Sequence, residues 1–412
     1  MGWLLLLFVL VAVPLAGHAA TIEVPPGDLA AAVAGAAAGD VLRLAPGRHR
    51  GPVVIDRPLS LEGTAGAVIE GGGNGRVIQV SAADVAIRDL EITGSGLALE
   101  TMDAGIFLDK AADRAVVERN RVLDNLVGVY VWGAKDSRVQ GNIIVGRQDL
   151  RVNERGNGIS LWNAPGAEIL DNIISHGRDG IFVATSKRNR FVGNRFSHVR
   201  FGVHYMYCND SEVAGNVSEG NFVGYALMYS SGLKVTGNLS KGDQDHGVLL
   251  NYANSSDISG NRVEGGEKCV FIYNANKNRI ADNWFRGCGI GIHFTAGSER
   301  NLLSGNSFVG NQTQVKYVGT RDVVWADGGR GNYWSDNPAF DLDGDGIADT
   351  AYRPNDVVDR VVWAVPLAKL LLNSPAVQVV RWSQAQFPAL TPGGVVDPSP
   401  LMRPIPLTRP GP

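Results

Sequence analysis

Residues 201 to 210 read FGVHYMYCND and place His204, Met206 and Cys208 at every second position. On an extended strand, side chains two residues apart point to one side of the sheet. The spacing therefore predicts an imidazole, a thioether and a thiol on a common face. Met228 follows Met206 by 22 residues. Thioether, thiolate and imidazole are the donors Cu(I) prefers, whereas Zn(II) would ask for more histidine or cysteine. His204, Met206 and Met228, with Cys208 as an optional fourth group, form a candidate Cu(I) contact. The alternative is that these residues pack against a covering segment or a partner protein.

A second cluster lies in DLDGDGIAD, residues 341–349. Asp341, Asp343 and Asp345, with Gly346 for the sharp turn and the Ile347 carbonyl as a further donor, follow the opening of an EF-hand calcium loop. The closing bidentate Glu is missing, and Asp349 stands where the ligand is often water-bridged. The expectation is a structural Ca²⁺. A metal-free acidic turn is the alternative, and no base or nucleophile lies nearby in sequence to argue for catalysis.

These residues need elements to hold them, and the chain supplies a repeat. Asparagine recurs at 120, 142, 172, 194, 216, 238, 261, 283 and 306, in steps of 22 or 23 with one of 30. A second mark, Gly before an apolar residue, recurs at 105, 128, 158, 180, 202, 224, 247 and 291, with Cys269 in the same slot. Val, Ile and Phe alternate with polar residues inside each repeat, which is strand chemistry rather than the leucine spacing of a leucine-rich repeat. The predicted fold is all-β, a right-handed parallel β-helix with three short strands per coil. Coils would stack about 4.8 Å apart. The long step is a polar loop, GRQDLRVNERGNG. The Ala-rich DLAAAVAGAAAGD reads as an N-terminal capping helix.

Aligned on the Gly mark, two columns read as core: Ile106 to Ile292 and Leu108 to Phe294. The columns between them, which include Phe107, Tyr130, His204 and His293, then Trp132, Trp162, Met206 and Met228, read as outward. An exposed apolar stripe of that kind marks a binding surface. His293 lies four coils from His204, about 19 Å away at that spacing, too far to share an ion. His49, His176, His198 and His246 read as structural or solvated.

Lys and Arg number 38 against 41 Asp and Glu. That balance argues against bulk polyanion binding, which would need a basic face, so no nucleic-acid partner is expected. Residues 1–20 are apolar, end in small residues and read as a secretory signal peptide. Three cysteines in an exported chain leave one thiol over. Cys269 and Cys288 are offset by three positions on adjacent coils, about 10 Å along a strand, which argues against a disulfide. The remainder divides into a β-helix with its cap over 21–325, the acidic loop segment over 326–360, and a helix plus Pro-rich tail over 361–412. With seven prolines after residue 391, the tail is expected to be extended and free for a partner.

The GN coils, the segment GNYWSDNPAFDLDGDGIAD and the late DPSPLM together resemble the NosD family. These are periplasmic β-helix proteins of nitrous oxide reductase maturation, within the carbohydrate-binding and sugar-hydrolase β-helix group. The resemblance spans essentially the whole mature chain and is most specific after the coils. It implies a non-enzymatic periplasmic accessory protein in denitrification. Its implied partners are an ABC transporter permease and ATPase, which tie it to the membrane, a copper-chaperone lipoprotein, and nitrous oxide reductase, whose copper sites it helps build. The rival class is a β-helix polysaccharide lyase or C5-epimerase. Such an enzyme needs a charge-neutralising group and an acid–base pair in one groove, and SHGRDGIF, with His176, Arg178 and Asp179, is its best candidate.

Overall fold

A short strand that is apolar on one face cannot bury that face alone, so a repeated strand buries it against its own copies. The computed structural model of this 412-residue chain describes residues 19–295, 297–319, 321–371, 374–387 and 394–406. The expected leader falls almost wholly outside the described residues. One coil shows the plan. Strands Arg190–Val192, Arg195–Ser197 and Phe201–Asn209 each pair, in parallel, with the equivalent strand of the next coil. Repetition builds three parallel sheets of 13, 14 and 12 strands among the described residues, the right-handed β-helix expected. FGVHYMYCN lies on the third sheet.

Both core columns are buried as read, from Ile106 to Ile292 and from Leu108 to Phe294. The asparagine column is a continuous internal ladder. Asn194 donates its backbone N–H and its Nδ2 to Asn216 Oδ1, at 2.9 and 3.0 Å, and Asn216 does the same to Asn238 at 3.0 and 2.9 Å. The ladder runs one coil beyond the sequence reading, to Asn332. The left-handed position belongs to the residue before each Asn from Asn120 to Asn306: Gly193 has φ 71° and Gly215 φ 61°. The second glycine mark has a different cause. A Cβ on Gly202 or Gly224 would stand 2.7 or 2.6 Å from the carbonyl oxygen of the next coil's glycine mark, so these two coils close only on glycine.

Helix α1, Leu29–Gly35, covers the N-terminal end. Asp28 caps it by accepting the Ala30 N–H, and Leu29 and Val33 are buried against the first coils.

Two sequence expectations are corrected here. Cys269 and Cys288 form a disulfide with Cα atoms 5.7 Å apart. The 10 Å offset assumed an extended chain, but residues 287–289 turn between two strands. That turn brings Cys288 beside the glycine slot that Cys269 occupies.

The tail is not free over residues 394–406. Val395–Val396 pairs with Val323–Val324, and Asp397 is fully buried. The Asp397 carboxylate accepts the Asn332 N–H at 2.7 Å and the Trp334 indole N–H at 2.8 Å. Further on, the Ile405 carbonyl accepts the Trp284 indole N–H, and the Ile405 N–H donates to Ser307. Proline removes N–H donors but leaves carbonyls and alternate side chains free to bond, so a Pro-rich segment can still be built into a cap.

Exposed apolar side chains lie instead on the helical segment before it. Helices α2, Val357–Ala364, and α3, Pro375–Gln386, flank the short turn Pro366–Leu371. Val358 and Val362 are buried, whereas Leu367, Leu370, Leu371 and Trp382 are each more than half exposed.

Candidate metal centre

Alternation along Phe201–Asn209 holds as far as Met206 and then fails. Tyr205 is buried and Met206 lies on the outer face, half-buried. Tyr207 adopts φ 59°, a left-handed conformation that turns the chain by one position. Tyr207 is therefore exposed, and Cys208 points into the core, with no exposed surface. Its thiol contacts the carbonyls of Val183 and Met206 at 3.4 Å, and burial pushes the thiol up to about 12. A buried protonated thiol facing inward is no ligand for the outer face. Cys208 leaves the candidate set, and it is the free cysteine.

The other three donors share the outer face of the third sheet. Met206 stands directly opposite Met228 in parallel register. His204 lies two residues before Met206, opposite Ala226. Its imidazole is more buried than an outward column implies, because Phe182 and Phe201 meet it edge-on at 5.0 and 4.8 Å. His204 Nδ1 lies 2.9 Å from Asp179 Oδ2. Arg200 donates to both oxygens of the same carboxylate at 2.8 and 2.7 Å. Burial works to raise the Asp179 pKa, and the bonds to His204 and Arg200 outweigh it and hold the group below its ordinary range.

Asp179 was legible only as part of the enzymatic trio, and Arg200 was missed. Carrying the column alignment a few positions ahead of the Gly mark would have found them, since Asp179 and Phe201 are register partners and Arg200 precedes Phe201. Of that trio, His176 stacks on His198 at 4.8 Å, and the Asp179 carboxylate is taken up by Arg200 and His204.

His246 and His293 lie on either side of one aromatic ring. Both ring-pack against Phe271, at 5.2 and 4.8 Å, and His246 Nδ1 lies 2.8 Å from Asp245. Burial, with Lys316 and Lys268 nearby, lowers His293 to about 4.

Beside the methionines runs an exposed tyrosine ladder. Tyr207 stacks on Tyr229 at 5.2 Å, and Tyr229 on Tyr252 at 5.1 Å.

In the acidic loop, carboxylate oxygens of Asp341, Asp343 and Asp345 lie within 4.8 Å of one another. The Asp341 carboxylate accepts the N–H groups of Gly344 and Gly346, and Asp345 accepts that of Ile347. The Gly346 bond leads the causes that lower the Asp341 pKa. An all-oxygen set of three carboxylates suits a hard cation such as Ca²⁺. Asp349 does not join the cluster; its carboxylate accepts the Leu342 N–H at 2.8 Å and closes the loop. The loop is tied to residues 400–402: Ile347 bridges Leu401, and Met402 donates to the Gly346 carbonyl.

Known proteins match this architecture. Residues 140–339 match the family described as "Periplasmic copper-binding protein (NosD)". The chain is 45% identical over 383 residues to a "Probable ABC transporter binding protein NosD" of Pseudomonas aeruginosa, covering 90% of this chain and 89% of that one. It is 44% identical over 376 residues to the protein of the same name from Stutzerimonas stutzeri, covering 88% and 86%. A mannuronic acid specific polysaccharide family 6 lyase from human gut microbiota shares the fold, with TM-score 0.53 at 13% identity over 75% of this chain and 86% of that one. Identity that low speaks to the fold alone. Near-full-length identity of this order identifies a family: the chain belongs to the NosD family of periplasmic copper-binding proteins.

Proposed function

We propose that this chain is an accessory protein for copper-site assembly in nitrous oxide reductase, and that it contacts Cu(I) at His204, Met206 and Met228. In this reading it works with the permease and ATPase of an ABC transporter and with a copper-chaperone lipoprotein. One observation carries the metal assignment. Two thioethers stand in register on adjacent coils, beside an imidazole whose Nδ1 is already engaged. That leaves Nε2 and two sulfurs as uncharged soft donors on one face, a set suited to Cu(I). Three donors without a fixed fourth hold the ion weakly, which suits transfer better than storage.

The transporter contact is assigned to the helical segment 357–387 rather than to the tail, because its leucines and Trp382 are exposed while residues 394–406 are bonded into the cap. Among the described residues no helix is long and apolar enough to cross a membrane, so attachment runs through the partner. Asp341, Asp343 and Asp345 are assigned a structural Ca²⁺. An enzymatic reading is not favoured, because the Asp179 carboxylate of its candidate trio is already bonded by Arg200 and His204, and the relatives are named as binding proteins.

Anaerobic native mass spectrometry of the purified chain with Cu(I) tests the metal assignment. One bound ion that disappears in Met206→Leu/Met228→Leu supports it, and a stoichiometry unchanged by that substitution refutes it.

A further inference from the structure

Behind His204 sits a pair of opposite charges that the copper-contact reading leaves without a role. Arg200 holds the Asp179 carboxylate with two parallel bonds, Nε to Oδ1 at 2.8 Å and Nη2 to Oδ2 at 2.7 Å. The same Oδ2 meets His204 Nδ1 at 2.9 Å. The Asp179 side chain is 1% exposed, and the guanidinium lies over the Phe201 ring at 4.3 Å. The carboxylate is thus fixed on three sides, by a fork geometry that lysine cannot reproduce.

Two consequences follow. A carboxylate accepting from one ring nitrogen of histidine fixes the tautomer and offers the other nitrogen's lone pair, and losing such a partner typically weakens metal binding about 10–100-fold. The second consequence concerns charge. A bare carboxylate directly behind the imidazole would add a negative charge to the site and attract a divalent ion about twice as strongly as a monovalent one. The guanidinium cancels that charge. Imidazole and two thioethers then act as a neutral set backed by a neutral pair.

We propose that Asp179 and Arg200 are positioning and selectivity residues of this metal contact: Asp179 fixes Nε2 of His204 as the donor, and Arg200 cancels the carboxylate so that the contact takes Cu(I) in preference to divalent ions. The inference rests on the assignment of His204, Met206 and Met228 as the contact.

The test compares the wild-type chain with Arg200→Gln, Arg200→Lys, Asp179→Asn and His204→Ala. Cu(I) and Zn(II) affinities are read by competition with chromophoric chelators, and the His204 tautomer by ¹⁵N NMR of the metal-free protein. Wild type should show Nδ1–H with Nε2 bare. Arg200→Gln should tighten Zn(II) about tenfold while moving Cu(I) much less, and Arg200→Lys should keep the wild-type ratio. Asp179→Asn should weaken Cu(I) about 10–100-fold and mix the tautomers. A structural role alone would shift both metals by one factor, so equal shifts, or none, in Arg200→Gln overturn the inference. An Nε2–H tautomer in wild type overturns it without any variant. If His204→Ala leaves Cu(I) affinity unchanged, the underlying contact assignment fails instead.

Discussion

Asp397 accepts the backbone N–H of Asn332 at 2.7 Å, and Asn332 in turn is the last rung of a ladder that starts at Asn120. Sixty-five residues of chain separate the two partners. The coils therefore end on a carboxylate delivered by the C-terminal segment, which also takes the Trp334 indole N–H.

Removing that acceptor leaves buried donors unpaired, at a cost of about 1–3 kcal/mol for each. Asp397→Ala should lower stability by at least about 2 kcal/mol and perturb Trp334 emission. Urea denaturation followed by tryptophan fluorescence reads both, and a midpoint within error of wild type would mean that the segment is not part of the cap.

That segment shows where the sequence was readable and where it was not. The asparagine and glycine marks report short-range requirements repeated in every coil: a side-chain rung, a left-handed residue, a close approach. Repetition made them visible. Asp397 acts once, across a long loop, and its neighbours are prolines that read as disorder. The same limit explains Cys208 and the cysteine pair. Strict alternation was extended through Tyr207, whose φ of 59° reverses the facing, and through a turn that brings Cys269 and Cys288 together. Within the metal centre, the register of Met206 and Met228 was legible from the period. The Asp179 and Arg200 backing was not, because it lies ahead of the Gly mark from which the columns were read.

His293 should make stability depend on pH. Its folded pKa of about 4, lowered first by burial and then by Lys316 and Lys268, lies below the unfolded value of about 6.5. Between those values the unfolded chain binds a proton that the folded chain refuses, so the contribution is complete above the unfolded value and is lost as pH falls toward 4. The urea midpoint should be lower at pH 5 than at pH 7, and His293→Gln should flatten that difference. An identical pH slope in the variant would assign the effect elsewhere.

Calcium should raise the melting temperature through the acidic loop, because Ala348 and Gly346 bond directly to residues 400 and 402. Calorimetry with Ca²⁺ and with chelator reads the shift, and Asp343→Ala should abolish it. Equal melting temperatures in both conditions would leave the loop as an acidic turn.

The exposed leucines should matter to the partner and not to the fold. Replacing Leu367, Leu370 and Leu371 together with Gln is expected to keep the melting temperature while reducing co-purification with the permease severalfold. Full co-purification would move the contact to another surface.

The central claim is that copper bound for nitrous oxide reductase touches this chain at the paired methionines. Met206→Leu/Met228→Leu conserves volume and apolarity, so packing should survive while both sulfur donors vanish. The direct measurement is the copper content of nitrous oxide reductase purified from cells that carry only this variant. The expected result is an enzyme depleted in copper beside a variant protein of normal abundance and fold; full copper loading would contradict the claim and leave the aromatic and methionine face as a plain docking surface.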